Sequence, residues 1–192
     1  MFLLSIPAEP VSSSKQAERL DNYILGIAKG DKEALAGLYE STHTAVYGFA
    51  LSLCKNVPDA EDVLQDVFVQ IWNAAEQYTP AGKPMAWIFT ITRNLALLCL
   101  RQKNKMIPFS AEDLQEHLEE ISQVTSDDRI VLEALLKSLQ DTERQILVLH
   151  ALSGMKHREI ASLLQIPLPT VLSKYHRAVK KLGKIMKEAD IE

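Results

Sequence analysis

Residues 156–182 read KHREIASLLQIPLPTVLSKYHRAVKKL, two amphipathic segments on either side of a proline-marked turn. In the first segment Ile160, Ala161 and Leu164 share a face, and Ala161 is small enough for a partner helix to come close. In the second, Val171, Tyr175, Ala178 and Leu182 recur at i, i+4, i+7 and i+11, the spacing of one buried helical face. Gln165-Ile166-Pro167 forms the turn, and Pro169 sits in the first turn of the second helix, where a missing N–H breaks no bond. Two short helices joined this way form a helix-turn-helix. The outward face of the second helix carries Thr170, Ser173, Lys174, Arg177 and Lys181. Short polar groups near a helix N-terminus reach base edges in a major groove, and cations behind them reach phosphates. The alternative is a plain helical hairpin with a solvated basic face.

Outward from this stretch, helical spacing continues and no alternating strand pattern is found. Helices are expected over about 128–138 and 141–152, with Asp141 as N-cap of the latter and Ser153-Gly154 as its stop. Pro108 and the acids from Glu112 to Glu120 mark a connector, within which 112–121 reads as a short amphipathic helix. The N-terminal half gives four more helices. They run from Arg19 to Ala28, from the N-cap Asp31 to about Cys54, from Pro58 or Asp59 to about Gln77, and from Met85 to Lys103. The last has an apolar stripe of Trp87/Ile88, Ile91, Leu95 and Leu98. The expected fold is all-α. A mobile tail (1–16) precedes a four-helix domain (17–105), an acidic flexible linker (106–126) and a second four-helix domain (127–188).

The 192 residues carry a net charge of −4, which is unpromising for a nucleic-acid binder until its distribution is read. Residues 106–128 hold seven acids and no base, whereas 129–192 hold 11 Lys/Arg against 7 Asp/Glu. A basic block behind an acidic connector points to a nucleic-acid surface at one end. Cys54 and Cys99 lie in apolar helical surroundings without a CxxC, so neither a disulfide framework nor a zinc site is expected, and reduced thiols fit a cytoplasmic protein. His43, His117, His150, His157 and His176 look scattered, with no carboxylate or serine partners. No catalytic residues, metal or cofactor are therefore expected. The apolar start has no preceding basic residue, no run approaches a membrane span, and no further domain is expected after the last helix.

Two more constellations stand out. In the third helix Val63, Val67, Phe68, Ile71 and Trp72 form a core face, while Glu61, Asp62, Gln65 and Asp66 lie elsewhere with no Lys or Arg near them in sequence. Such a face is either solvated or a docking site. The fourth helix ends in Arg93, Arg101, Lys103 and Lys105, preceded by Tyr78, Trp87 and Phe89. Aromatics beside cations suit a single-stranded DNA surface, and core packing is the competing reading for Trp87 and Phe89.

In order and spacing, residues 20–187 resemble the extracytoplasmic-function group of sigma-70 RNA polymerase sigma factors. The likeness rests on Asp59-Ala60-Glu61-Asp62-Val63-Leu64-Gln65-Asp66-Val67-Phe68 with Trp72, Ala86-Trp87-Ile88 and Arg93-Asn94-Leu95-Ala96. In the second domain it rests on Glu159-Ile160-Ala161, Ile166-Pro167, Thr170-Val171 and His176-Arg177-Ala178. The resemblance implies a noncatalytic protein that binds core RNA polymerase and directs promoter recognition and melting, with an anti-sigma factor as a further partner. It implies that Asp59, Glu61, Asp62, Gln65 and Asp66 grip the polymerase. It gives the −10 DNA to the 77–84 loop and the next helix, through Tyr78, Lys83, Trp87, Arg93, Asn94, Arg101 and Lys103. The −35 DNA falls to Thr170, Leu172, Ser173, Lys174, Arg177 and Lys181.

The chain departs from the family pattern at four positions. Leu98 stands where an Asp is frequent, and Gln165 where the turn usually has Gly. Pro169 and Leu172 replace the Gly and Lys that usually open the recognition helix. A symmetric dimeric regulator using the same helix-turn-helix is the rival reading, separable by whether the chain is a monomer that associates with core polymerase. An enzyme is the third.

Overall fold

The computed structural model describes residues 11–103 and 139–189, with side chains from Lys15 to Gln102 and from Leu139 to Lys184. The expected helices over 112–121 and 128–138 lie outside the described residues. Those described form α1 (Val11–Ile27), α2 (Lys32–Cys54), α3 (Val57–Ala74), a 3-10 turn (Ala75–Gln77), α4 (Pro84–Lys103), α5 (Asp141–Ser153), α6 (His157–Leu164) and α7 (Leu168–Ala189), with no strand among them.

Most helix ends follow the chemistry of their caps. The Asp31 carboxylate accepts from the N–H groups of Glu33 (2.8 Å) and Ala34 (3.1 Å), a cap worth about 1 kcal/mol. At the start of α3 the Asn56 side chain accepts from the Asp59 N–H at 2.9 Å and donates to the Asp59 carboxylate at 2.8 Å. Gly154, in the left-handed region at φ 66°, stops α5.

Four expectations change. The tail expected over 1–16 is helical from Val11. Once Leu20, Ile24 and Ile27 are buried, adding turns at the N-terminus costs far less than nucleating a helix. α3 stops at Ala74, and its last three expected residues tighten into the 3-10 turn. Gln140, not Asp141, is the N-cap of α5. Asp141 turns outward to Lys55 Nζ at 2.7 Å, while the Gln140 N–H donates to Glu143 at 3.3 Å. The buried stripe of α4 is Ile88, Phe89, Thr92 and Ala96, and Leu98 is 50% exposed. Phe89 wins the core position by meeting Phe49 of α2 edge-on, centroids 5.3 Å apart. Thr92 can join it because its hydroxyl donates to the Ile88 carbonyl at 2.9 Å.

The larger difference concerns the two halves. They were expected as separate packings, yet α5 lies against α2, and one apolar core runs from Leu20 through Phe49, Ile71 and Ile88 to Ile146, Leu149 and Ile160. The helices touch at Gly48, where an added Cβ would stand 2.9 Å from Leu152 Cδ1 and 3.5 Å from Val148 Cγ1.

In the helix-turn-helix, Ile160 and Val171 are fully buried, as their spacing predicts, and Gln165 adopts φ 57° at the turn. A left-handed conformation costs a non-glycine residue roughly 1 kcal/mol. Gln165→Gly should therefore raise stability by about 0.5–1 kcal/mol in chemical denaturation, less whatever the freer unfolded chain returns. A β-branched Gln165→Val should lower it. Equal stability for all three would show that the turn carries no strain.

Candidate functional site

Three surfaces bring together the residues singled out above. The first is the outward face of α7. Leu172, Ser173 and Arg177 are exposed there, with Thr170 and Lys174 half-buried beside them. The Arg177 Nε–H donates to the Ser173 carbonyl at 3.3 Å, which lays the guanidinium along the helix. Lys181 does not belong to this face. Its ammonium donates to Glu143 Oε2 at 2.7 Å, and Glu143 is 1% exposed. Burial raises the Glu143 pKa, but the bond from Lys181, the Gln140 N–H and the charges of Lys181 and Arg177 outweigh it and hold the carboxyl below its usual range. Lys181 thus neutralises a buried carboxylate and is occupied within the fold.

The second surface is α3. Glu61, Asp62, Gln65 and Asp66 are exposed, and among the described residues no cation pairs with the three acids. The Glu61 charge is felt across the groove to α2, where Tyr47 is pushed up to about 12, first by burial and then by Glu61. Asp59 is not part of this face. It is buried against Asn56, where it braces the first turn of α3. The other four keep the spacing that puts Asp62 and Asp66 one turn apart.

The third surface joins the 78–83 loop to α4. Lys83, Asn94 and Arg101 are exposed, and Arg93 is half-buried. Lys103 closes the helix, its side chain outside the described residues. Tyr78 points inward instead. Its hydroxyl donates to the Asp21 carboxylate and its ring packs on Trp87 at 4.8 Å, so it ties the loop to α1 and supports a half-buried Trp87 from beneath. Burial, then that hydrogen bond, then the Asp21 charge raise the Tyr78 pKa. Lys83, Thr90, Arg93 and Asn94 line one wall of a cleft of about 270 Å³, with Glu159 and Gln165 of the second domain on the other.

The histidines are not all scattered. His150 and His157 stack with centroids 4.5 Å apart, and Tyr175 stands edge-on to both, at 4.9 and 4.7 Å. His176 lies 6.0 Å from Tyr175. His150 Nδ1 is 2.9 Å from the Met155 carbonyl, whereas His157 Nε2 is buried without a partner. No periodicity reveals this group, because it forms only when α5, α6 and α7 fold over one another. Among the described residues no set of three or more His, Cys, Asp and Glu is placed to hold a metal, and no helix is long and apolar enough to cross a membrane.

Burial, then His150, then His176 lower the His157 pKa. Unfolded, the ring titrates near about 6.5, so below that pH the unfolded chain binds the extra proton more readily than the folded one. The associated stability is present above about pH 6.5 and is lost as pH falls toward the lowered folded value. His157→Phe, which keeps the stack, should flatten the fall in thermal midpoint between about pH 7 and 5. An unchanged slope would assign that fall to other groups.

Comparison with known proteins bears on the family of both halves. The family model for Sigma-70 region 2 matches residues 38–106, and that for Sigma-70, region 4 matches residues 129–182. The ECF RNA polymerase sigma factor SigK of Mycobacterium ulcerans (strain Agy99) is 26% identical over 174 residues, covering 87% of this chain and 93% of its own. SigK of Mycobacterium tuberculosis (strain ATCC 25177 / H37Ra) is 25% identical over 170 residues, with 85% and 91% covered. Among solved structures, CnrH in complex with the cytosolic domain of CnrY superposes with a TM-score of 0.61 at 24% identity, covering 88% of this chain and 98% of that one. The sigma factor RpoE from Bartonella quintana, in complex with the anti-sigma factor NepR, gives 0.56 at 22% identity, with 76% and 91% covered. At these identities the structural likeness speaks for the fold.

Proposed function

The chain belongs to the sigma-70 family of RNA polymerase sigma factors, in its extracytoplasmic-function group, and from that premise we propose how its surfaces divide the work. As a sigma factor it binds core RNA polymerase and directs promoter recognition and DNA melting at initiation. The α3 face of Glu61, Asp62, Gln65 and Asp66 docks on a basic polymerase surface. Lys83, Arg93, Asn94 and Arg101, with the edge of Trp87, take the −10 strand. Thr170, Leu172, Ser173, Lys174 and Arg177 meet the −35 duplex, where Leu172 offers an apolar contact to a thymine methyl. The chemistry is the polymerase's; this chain supplies no catalytic group and works in the cytoplasm, where that enzyme is. An anti-sigma factor is its regulatory partner, as NepR is seen with RpoE.

One observation carries the docking assignment: Glu61, Asp62 and Asp66 are exposed without a paired cation, while Asp31, Asp59 and Glu143 are each engaged in capping or pairing within the fold. Like charges at i and i+4 repel by a few tenths of a kcal/mol in a free helix. A basic partner relieves this and adds charge-assisted hydrogen bonds of roughly 1.5–3 kcal/mol each. Asp62→Lys with Asp66→Lys should abolish co-purification with core polymerase while circular dichroism and −35 binding stay unchanged. A folded double variant that still binds core at full affinity would make this face merely solvated and move a dimeric regulator ahead.

The pairing on α7 separates two cations that the sequence grouped together. Arg177→Ala should weaken −35 binding and reduce the salt slope by about one unit, the signature of one lost phosphate contact. Lys181→Ala should instead lower stability by about 1–3 kcal/mol, because it strands the Glu143 carboxylate, with the cost moderated by the solvent exposure of the lysine. Equal effects of the two substitutions on the salt slope would return Lys181 to the DNA face.

A further inference from the structure

Asp21 reaches from α1 to the loop that joins α3 to α4. Its carboxylate accepts from the Tyr78 hydroxyl, and among the described residues no cation pairs with it. Asp21 is half-buried and Tyr78 is 9% exposed. A tyrosine hydroxyl taken out of water needs a partner, so satisfying it is the least that Asp21 does. The position of Tyr78 gives the bond more to do, because Tyr78 is the first residue of the loop assigned above to the −10 strand.

Thr79, Pro80, Ala81 and Gly82 form the tip of that loop, and all four are exposed. Gly82 has φ 66°, and a Cβ added there would meet no atom within 4 Å. The glycine therefore serves the left-handed backbone of the turn, not a close approach. With its residues in solvent, the tip takes its direction from its two ends. At the far end the Lys83 carbonyl accepts from the N–H groups of Ala86 (3.1 Å) and Trp87 (3.4 Å), which fastens the loop to the first turn of α4. At the near end the Tyr78 N–H donates to the Ala75 carbonyl at 3.1 Å, and its ring centroid lies 4.8 Å from that of Trp87. Trp87 thus meets both ends, through its backbone at Lys83 and through its ring at Tyr78. Packing alone lets the Tyr78 ring pivot; a charge-assisted bond to a helix of the core gives it one orientation.

We propose that Asp21 is a positioning residue for −10 recognition: by holding the Tyr78 hydroxyl it fixes the seat of Trp87 and the direction of the loop tip. The inference rests on the assignment of this loop and α4 to the −10 strand. Asp21 acts only through Tyr78. Discrimination between bases needs the reading groups held within about 0.5 Å of their productive places. Loss of the tie therefore shows first as loss of base preference, ahead of any loss of docking on polymerase.

The test uses the full chain assembled with core polymerase, on a promoter that the native holoenzyme selects from a library randomised at −35 and −10. Melting is read from permanganate reactivity of unpaired thymines, and −10 preference from a second selection randomised at −10 alone. Asp21→Ala and Tyr78→Phe should each reduce open-complex formation about tenfold, the effect of one lost charge-assisted hydrogen bond. Each should also flatten the −10 preference, with core co-purification and −35 duplex binding unchanged. The double variant should be no worse than either single one, since both act through the same bond. Asp21→Asn keeps an accepting oxygen and should restore most of the preference. A tie that serves stability alone would lower the thermal midpoint of these variants and leave the base preference of the folded protein intact, and that result overturns the proposal. Losses that add in the double variant overturn it as well. Lys83→Ala and Arg93→Ala test the assignment beneath it. If both leave melting and preference unchanged, the −10 assignment itself fails and the proposal falls with it. If they lower both while Asp21→Ala does not, the −10 assignment stands and only the positioning role is lost.

Discussion

Helix α2 is apolar on most of its circumference, and the burial of its sides organises the rest of the molecule. Leu38, Val46, Phe49 and Leu51 are at most 1% exposed, and α1, α3, α4 and α5 all pack on this one helix. A helix that is hydrophobic all round must be surrounded. Two glycines set how closely its neighbours come. A Cβ at Gly37 would stand 2.7 Å from the Tyr23 ring of α1, and one at Gly48 would collide with Leu152 of α5. Without the second of these gaps the C-terminal helices could not share the core. The ion pair between Lys55 and Asp141 is about half-exposed on both sides and adds little to that contact, which is apolar at heart.

Around this core, charges divide by whether the fold uses them. Glu143 is deeply buried and kept ionised by Lys181, and Asp59 is enclosed with Asn56 at the start of α3. Removing either partner would leave a polar group out of water without compensation. The acids Glu61, Asp62 and Asp66 of α3 are exposed and take no part in a cap or an ion pair among the described residues. Tyr78 makes the same point for aromatics: its hydroxyl is spent on Asp21, and its ring seats Trp87.

The packing of the two halves also brings opposite charges together. α6 turns Glu159 toward Lys83, 3.7 Å away. The geometry is favourable electrostatically but shallow, with an open cleft between the walls and an exposed lysine at its rim.

The sequence by itself determined the all-helical class, the cap at Asp31, the stop at Gly154, the buried faces of α3 and α7, and the departure at Gln165. These are local properties: a cap, a turn or a 3.6-residue period is complete within a few neighbouring residues. The acidic face of α3 was legible for the same reason. Only the tertiary structure decided that Lys181 belongs to Glu143, 38 positions away, that Tyr78 belongs to Asp21, that three histidines gather around Tyr175, and that Phe89 rather than Leu98 enters the core. It alone decided that α5 seats on α2. A polar side chain takes whichever partner the packing of distant helices brings within about 3 Å, and no spacing along the chain records that choice.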